Sequence, residues 1–175
     1  LHLAQLGHRV ILFVPYYRET RLRYPRLPRA TEPLDLPVPG HEVRVELLRH
    51  EPAPGVQVLL VREDSAFDRP QLYGTPDGDY WDNAGRFSIF CRALLAGSAA
   101  LKIRPNIIHV HDWQTALLPL YLRHRPDHDG DLAGTPVLFT LHNLAYQGLF
   151  PPRPCPMRGS PRISSICTGW NSSGG

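Results

Sequence analysis

Apolar residues fall into short continuous runs that alternate with stretches of helical period. Three runs, residues 9–14, 107–110 and 135–141, have the length and composition of buried strands. Residues 82–101 and 114–124 predict helices. In the first helix the apolar positions recur at helical spacing, and they are Phe87, Phe90, Cys91, Leu94 and Leu95. This alternation predicts an α/β fold, with a Rossmann-like parallel sheet and helices on both faces.

The first third of the chain has more varied patterns. Residues 1–6 predict a helix that ends before Gly7, the usual residue just past a helix C-terminus. Residues 41–48 alternate between apolar and polar positions and residues 56–61 are mostly apolar, so a hairpin with a longer loop is predicted. Residues 18–39 are rich in Pro, Arg and Leu without any period, and they predict an irregular loop.

Polar side chains follow two of the predicted strands at the points where the strands end. His111, Asp112 and Trp113 close the stretch 106–113, and His142 and Asn143 follow the next strand. Right-handed crossovers place the carboxyl ends of both strands at the same sheet edge. Ligands bind beyond that edge in open parallel sheets, so a polar-ligand site is predicted there.

The His109-x-His111-Asp112 cluster is open to several interpretations. Residues two apart on a strand share a face, so His109 and His111 point the same way and Asp112 points the other way. Two such imidazoles can bind a metal, which would suit a metal-dependent hydrolase. His109 is otherwise expected to be a hydrogen-bonded core residue. Asp112 is expected either to contact a ligand or only to cap the next helix.

Three other candidate residues have structural alternatives. Asn143 is a residue type that makes turns as well as ligand contacts. Tyr73 and Trp113 either pack against neighbours or offer flat faces to carbohydrate rings. The chain has no Gly-x-Gly-x-x-Gly loop, no P-loop and no Gly-x-Ser-x-Gly elbow, so its motifs indicate neither a phosphate cradle nor a serine hydrolase.

Composition narrows the class of protein. The 175 residues suffice for one well-cored domain, and the formal charge of +3 comes from dispersed Arg, which argues against nucleic acid as a partner. No apolar run approaches the roughly 20 residues of a membrane span, and the first residues do not resemble a signal peptide. The three cysteines show no metal-ligand spacing, and they predict a reducing, cytoplasmic compartment.

Several motifs together carry a family resemblance. They lie at residues 7–10, 67–70, 72–74, 82–87, 109–115 and 140–150. The last two, His-Val-His-Asp-Trp-Gln-Thr and Thr-Leu-His-Asn-Leu-Ala-Tyr-Gln-Gly-Leu-Phe, are highly specific at this spacing. Over residues 1–152 the chain resembles the amino-terminal half of bacterial glycogen synthases and plant starch synthases, which are retaining glucosyltransferases that use ADP-glucose.

The resemblance implies a fold and a set of site residues. The chain would be a truncated first, acceptor-side domain of a two-domain GT-B glycosyltransferase. Asp112 and His142 would be catalytic, and Tyr73, Asn143 and Trp113 would bind substrate. ADP-glucose and an α-1,4-glucan would be the partners of the complete enzyme, with no cofactor, metal or membrane. The alternative is a non-catalytic module that binds glucan with the same wall of the cleft.

The resemblance also defines what falls outside the chain. The family's Lys-Thr-Gly-Gly loop and its second domain have no counterpart in this sequence, so the chain alone is expected to be inactive. Residues 153–175 are dense in Pro, Ser, Arg and Gly, which predicts a disordered tail. A shift of reading frame near Pro152 or Arg153 is a second explanation, because one permitted back-translation restores a family-like continuation.

Overall fold

A computed structural model describes residues 1–38, 40–124, 132 and 134–150. The first half contains α1 (His2–Gln5), β1 (Val10–Pro15), α2 (Arg18–Arg23), β2 (Leu34–Val38), β3 (His41–Ala53) and β4 (Val56–Arg62). The second half contains α3 (Asp64–Phe67), β5 (Gly74–Thr75), β6 (Gly78–Asp79), α4 (Asn83–Ala100), β7 (Ile108–His111), α5 (Asp112–Thr115), α6 (Leu117–His124) and β8 (Val137–Thr140). The tail predicted at 153–175 lies outside the described residues.

The strands form two larger units that each contain a parallel pair. In the first sheet, of order β1-β4-β3-β2, β1 and β4 run parallel while β3 is antiparallel to both of its neighbours. The antiparallel pairing of β3 with β4 confirms the predicted hairpin, but the longer loop is wrong, because β3 continues to Ala53 and two residues join the strands. The second unit is the parallel pair of β7 and β8. The α/β class with parallel strands is therefore confirmed, and the hairpin adds an antiparallel extension.

The prediction of an irregular loop at residues 18–39 is wrong. This stretch forms α2 and β2, and β2 pairs with β3 in antiparallel register. Arg18 and Arg21 hold α2 to the Asp68 carboxylate at 2.7 and 3.0 Å. Pro37 is tolerated because β2 is an edge strand, where a missing backbone N–H breaks no central ladder. The proline content concealed a strand that pairs with the adjacent β3.

Strand β1 forms where it was predicted, but it is not buried on both faces as expected. Leu12 in its middle is 46% exposed. Within the described residues β1 pairs with β4 alone, so it lies at the edge of its sheet. Its side chain Phe13 still packs against the core cluster beneath α4.

Helix α4 packs against both strand units and carries the core. Phe87 and Phe90 belong to the cluster that includes Leu47 of β3, whereas Cys91 packs with Val110 of β7. The predicted apolar stripe on this helix is confirmed. Burial raises the pKa of the Cys91 thiol to about 12, which marks it as an unreactive packing residue. Within the described residues no helix is long and apolar enough to cross a membrane.

Truncating the centre of this core should cost much of its stability. Leu47 is fully buried, so we expect Leu47→Ala to lower the free energy of unfolding by about 2–5 kcal/mol. Leu12→Ala is the matched control. Leu12 is 46% exposed, so its truncation should lower the free energy of unfolding much less. Urea denaturation measures both. Equal losses in the two variants would contradict the packing described for β1 and β3.

Candidate functional site

The two predicted strand ends meet in the structure. In the parallel register His111 of β7 lies opposite Thr140 of β8, so the residues that follow each strand emerge side by side. The backbone N–H of His142 donates to Oδ1 of Asp112 at 2.7 Å. The structure thus brings together the carboxylate of one strand end and the histidine of the other.

Asp112 adopts an unusual backbone conformation at the start of α5. Its φ is +53°, in the left-handed region that Asp tolerates better than most residues. Its carboxylate is directed across to His142 instead of serving α5 as a cap. That end of α5 is closed by Thr115, whose Oγ1 accepts from His111 N and donates to His111 O, both at 2.7 Å. Capping alone therefore does not account for Asp112.

Three imidazoles lie in a row beside this carboxylate. The ring centroids of His109 and His111 are 4.1 Å apart, which confirms that these residues share a face. The rings of His111 and His142 are stacked at 5.2 Å, and a hydrogen bond of 3.0 Å joins His111 Nδ1 to His142 Nε2. His109 bonds Thr140 Oγ1 at 2.7 Å. Its expected place in the core is wrong, because the residue is exposed.

The surroundings of His111 favour its neutral ring. Burial lowers the pKa of His111, and the neighbouring His109 and His142 lower it further, while Asp112 acts in the opposite direction. A hydrogen bond between two ring nitrogens also requires one of them to be unprotonated. His111 is therefore favoured as a neutral hydrogen-bonding group beside the Asp112 carboxylate.

Trp113 is the centre of an aromatic cluster next to Asp112. Its ring centroid lies 6.2 Å from that of Tyr73, 5.0 Å from that of Phe87 and 5.3 Å from that of Phe150. Gly148, at φ +63°, approaches so closely that a Cβ there would lie 2.5 Å from the indole. The packing interpretation of Tyr73 and Trp113 is therefore observed, and their contact with a ligand stays a prediction.

Asn143 shapes the segment that follows His142. Its Oδ1 accepts from the backbone N–H of Ala145 at 3.0 Å, and its carbonyl accepts from that of Tyr146 at 3.2 Å. Tyr146 in turn donates from its hydroxyl to Asp79 at 2.8 Å. The turn role is thus observed. The amide nitrogen of Asn143, which is exposed, has no partner among the described residues and stays a predicted ligand contact.

Three further residues hold the predicted site residues in place and were not predicted from the sequence. Thr140 and Thr115 bond the histidines of β7, and Phe150 packs on Trp113. The parallel register would have indicated Thr140, because it lies directly opposite His111. Thr115 sits four residues after His111, within the reach of one helical turn, which is a recognisable spacing.

The described residues do not form a metal site of the kind considered for His109 and His111. No group of three or more His, Cys, Asp or Glu side chains among them is arranged to hold a metal ion. The imidazoles instead bond each other and Thr140. The arrangement is suited to hydrogen bonding with a polar ligand.

Comparison with known proteins gives a consistent family. A family model described as the starch synthase catalytic domain matches residues 1–169. The glycogen synthase of Koribacter versatilis is 42% identical over 149 residues, which cover 85% of this chain and 30% of that protein. Glycogen synthase 2 of Geobacter metallireducens is 40% identical over 149 residues, covering 85% and 31%.

A solved structure agrees with these relatives. The catalytic domain of starch synthase IV from Arabidopsis thaliana, bound to ADP and acarbose, superposes with a TM-score of 0.64 and 31% sequence identity. The match covers 84% of this chain and 29% of that one. The chain thus spans about a third of the length of the relatives it matches. On the family model, the relatives and the fold alike, this chain belongs to the starch synthase catalytic domain family.

Proposed function

We propose that this chain forms the acceptor-side wall of a glycogen or starch synthase. The complete enzyme would transfer glucose from ADP-glucose to the non-reducing end of an α-1,4-glucan with retention of configuration. The observation that carries the proposal is the hydrogen bond between Asp112 and His142 at the ligand edge. The glycogen synthases among the relatives support this reaction, and so do the ADP and acarbose bound to the Arabidopsis starch synthase IV domain. The predicted absence of a cofactor and the cytoplasmic location stay predictions.

Asp112 suits the charge that develops in such a transfer. Glucosyl transfer passes through an oxocarbenium-like state, which a fixed negative group nearby stabilises. One oxygen of the half-buried carboxylate is held by His142 N–H. Among the described residues Oδ2 has no hydrogen-bond partner, so it is free to accept from a sugar hydroxyl. The hydrogen bond from the His142 backbone to Oδ1 fixes the direction in which Oδ2 points.

His142 would contact the transferring glucose. Its ring is exposed, and Nε2 is engaged with His111. In the part of the chain that the structure describes, Nδ1 of His142 has no partner and remains for a sugar hydroxyl. Tyr73 and Trp113 would form an aromatic wall beside the sugar, and the Asn143 amide would donate to a further hydroxyl.

The protonation of this row predicts a pH dependence. Because the folded pKa of His111 is lowered, the unfolded chain binds the extra proton first on acidification. The stabilisation is present above the ordinary His value of about 6.5 and is lost as pH falls through the folded pKa. We expect His111→Asn to flatten the fall in unfolding free energy between about pH 7 and pH 5. Denaturation across that range measures this.

His41→Asn is the control for this experiment, since His41 is an exposed residue of β3 and lies away from the three imidazoles. It should keep the wild-type pH profile. A direct titration of the His111 ring by NMR provides the second readout. A ring that titrates at or above the ordinary His value would contradict the electrostatics described here.

The catalytic assignment is testable in a chimera. Residues 1–150 replace the matching segment of the Koribacter versatilis glycogen synthase, and elongation of glycogen from ADP-glucose is measured. We expect Asp112→Asn or His142→Ala to lower kcat by about a hundredfold or more, because each removes an oriented polar group at the reacting sugar. Asp35→Asn is the control, since its exposed carboxylate lies 3.9 Å from Arg44 and outside the site.

The outcomes separate the two functions that the sequence left open. Near-normal turnover in either site variant would show that the assignment is wrong. A folded chimera that binds glucan but lacks turnover before any substitution would favour the non-catalytic glucan-binding module. The isolated chain should bind glucan without elongating it. Elongation by the chain alone would contradict the proposal that it forms only the acceptor-side wall.

A further inference from the structure

A buried arginine lies behind the aromatic wall. Arg86, in the first turns of α4, is only 2% exposed. Its guanidinium reaches back to α3 and the loop after it, where Nε donates to the carbonyl of Ala66 at 2.6 Å and Nη1 donates to that of Leu72 at 3.1 Å. Nη1 also donates to Oδ1 of Asn83 at 2.6 Å. One side chain thus ties α3 and the following loop to α4.

Among the described residues no carboxylate forms an ion pair with this cation. Asp82 beside it raises the pKa of Arg86 only in part, and it accepts from Arg69 at 2.9 and 2.6 Å. Burial, followed by repulsion from Arg69, lowers the pKa of Arg86. Its guanidinium lies over the rings of Phe67, Tyr80 and Phe87. Burying an unpaired charge is costly, so the hydrogen bonds and ring contacts of Arg86 must offset its desolvation.

The hydrogen bonds of this arginine and its neighbour converge on Tyr73. Arg86 holds the carbonyl of Leu72, which belongs to the peptide before Tyr73. The Nδ2 group of Asn83 donates to the carbonyl of Tyr73 at 2.8 Å, in the peptide after it. Residues 83 and 86 are three apart on a helix and share a face. Both peptides that flank the Tyr73 Cα are therefore fixed to α4, and with them the direction of its Cα–Cβ bond.

The ring of Tyr73 connects this loop with the site by packing against Trp113. It lies 6.0 Å from the ring of Phe87 and 6.2 Å from that of Trp113, which is the residue after Asp112. We propose that Arg86, together with Asn83, is a positioning residue that sets the Tyr73–Trp113 wall for an α-1,4-glucan acceptor. Arg86 itself does not touch the glucan. The identity of the ligand rests on the proposed function, whereas the positioning of the wall does not.

Two substitutions at one position test the inference in the 175-residue chain. Arg86→Met keeps the volume and removes the donors, and Arg86→Lys keeps the charge but lacks the fork that binds two carbonyls and Asn83 together. Arg92→Met is the control. Arg92 lies on the same helix, is half-buried and packs over Tyr121, away from Tyr73.

Two measurements are made well below the unfolding midpoint of each variant, with the folded state checked by circular dichroism. Calorimetry with maltoheptaose gives the glucan Kd. NMR gives the Trp113 indole N–H resonance, assigned with Trp113→Phe. We expect both Arg86 variants to bind about tenfold more weakly or worse, with the indole resonance displaced, since small misplacements of a binding wall are costly. Arg92→Met should leave the Kd and the resonance unchanged.

Each remaining outcome is decisive. Wild-type affinity and an unmoved resonance in either Arg86 variant would overturn the proposal, and so would weak binding explained by a loss of folded protein. Loss in Arg86→Met with full rescue by Arg86→Lys would overturn it too, because charge rather than the carbonyl ties would then matter. If the wild-type chain binds no maltoheptaose, the proposed function fails, and the Trp113 resonance alone decides whether Arg86 positions the wall.

Discussion

The parallel register of β7 and β8 is the constraint on which the candidate site depends. It places His111 opposite Thr140, and the chains that leave the two strands then meet at Asp112 and His142. Since strand side chains alternate between faces, a slip of one residue would move each histidine to the other side. The short left-handed turn at Asp112 is retained because its carboxylate is satisfied by the neighbouring strand end. Pairing, backbone conformation and candidate chemistry therefore support one another.

Helix α4 relates this edge to the rest of the molecule. One part of it packs on β3 and β4 through Phe90, and another part packs on β7 through Cys91. Its first turns hold the Tyr73 loop by side-chain hydrogen bonds. The same helix thus carries the core and determines where the aromatic wall stands beside Asp112. This arrangement gives a physical reason for burying an arginine whose desolvation is costly.

The sequence predicted those parts of the fold that depend on local pattern. The apolar period of α4, the alternation in β3 and the polar ends after β7 and β8 were all readable, because each arises from residues near one another in the chain. The strand β2 was missed, since Pro37 and the lack of a clear period favoured a loop, and the strand forms by pairing with β3. His109 was expected in the core, but a two-stranded unit leaves it exposed. The network of Arg86 was not predicted either, because its acceptors are backbone carbonyls, which no side-chain motif reveals.

We infer that the glucan lies on the edge formed by Asp112 and His142. The decisive experiment is a crystal structure of the chimera with maltoheptaose and ADP. We expect a terminal glucose with hydroxyl oxygens within hydrogen-bond distance of the Asp112 carboxylate and the His142 ring, beside Trp113. A glucan bound elsewhere on the domain, with this edge free of sugar, would contradict it.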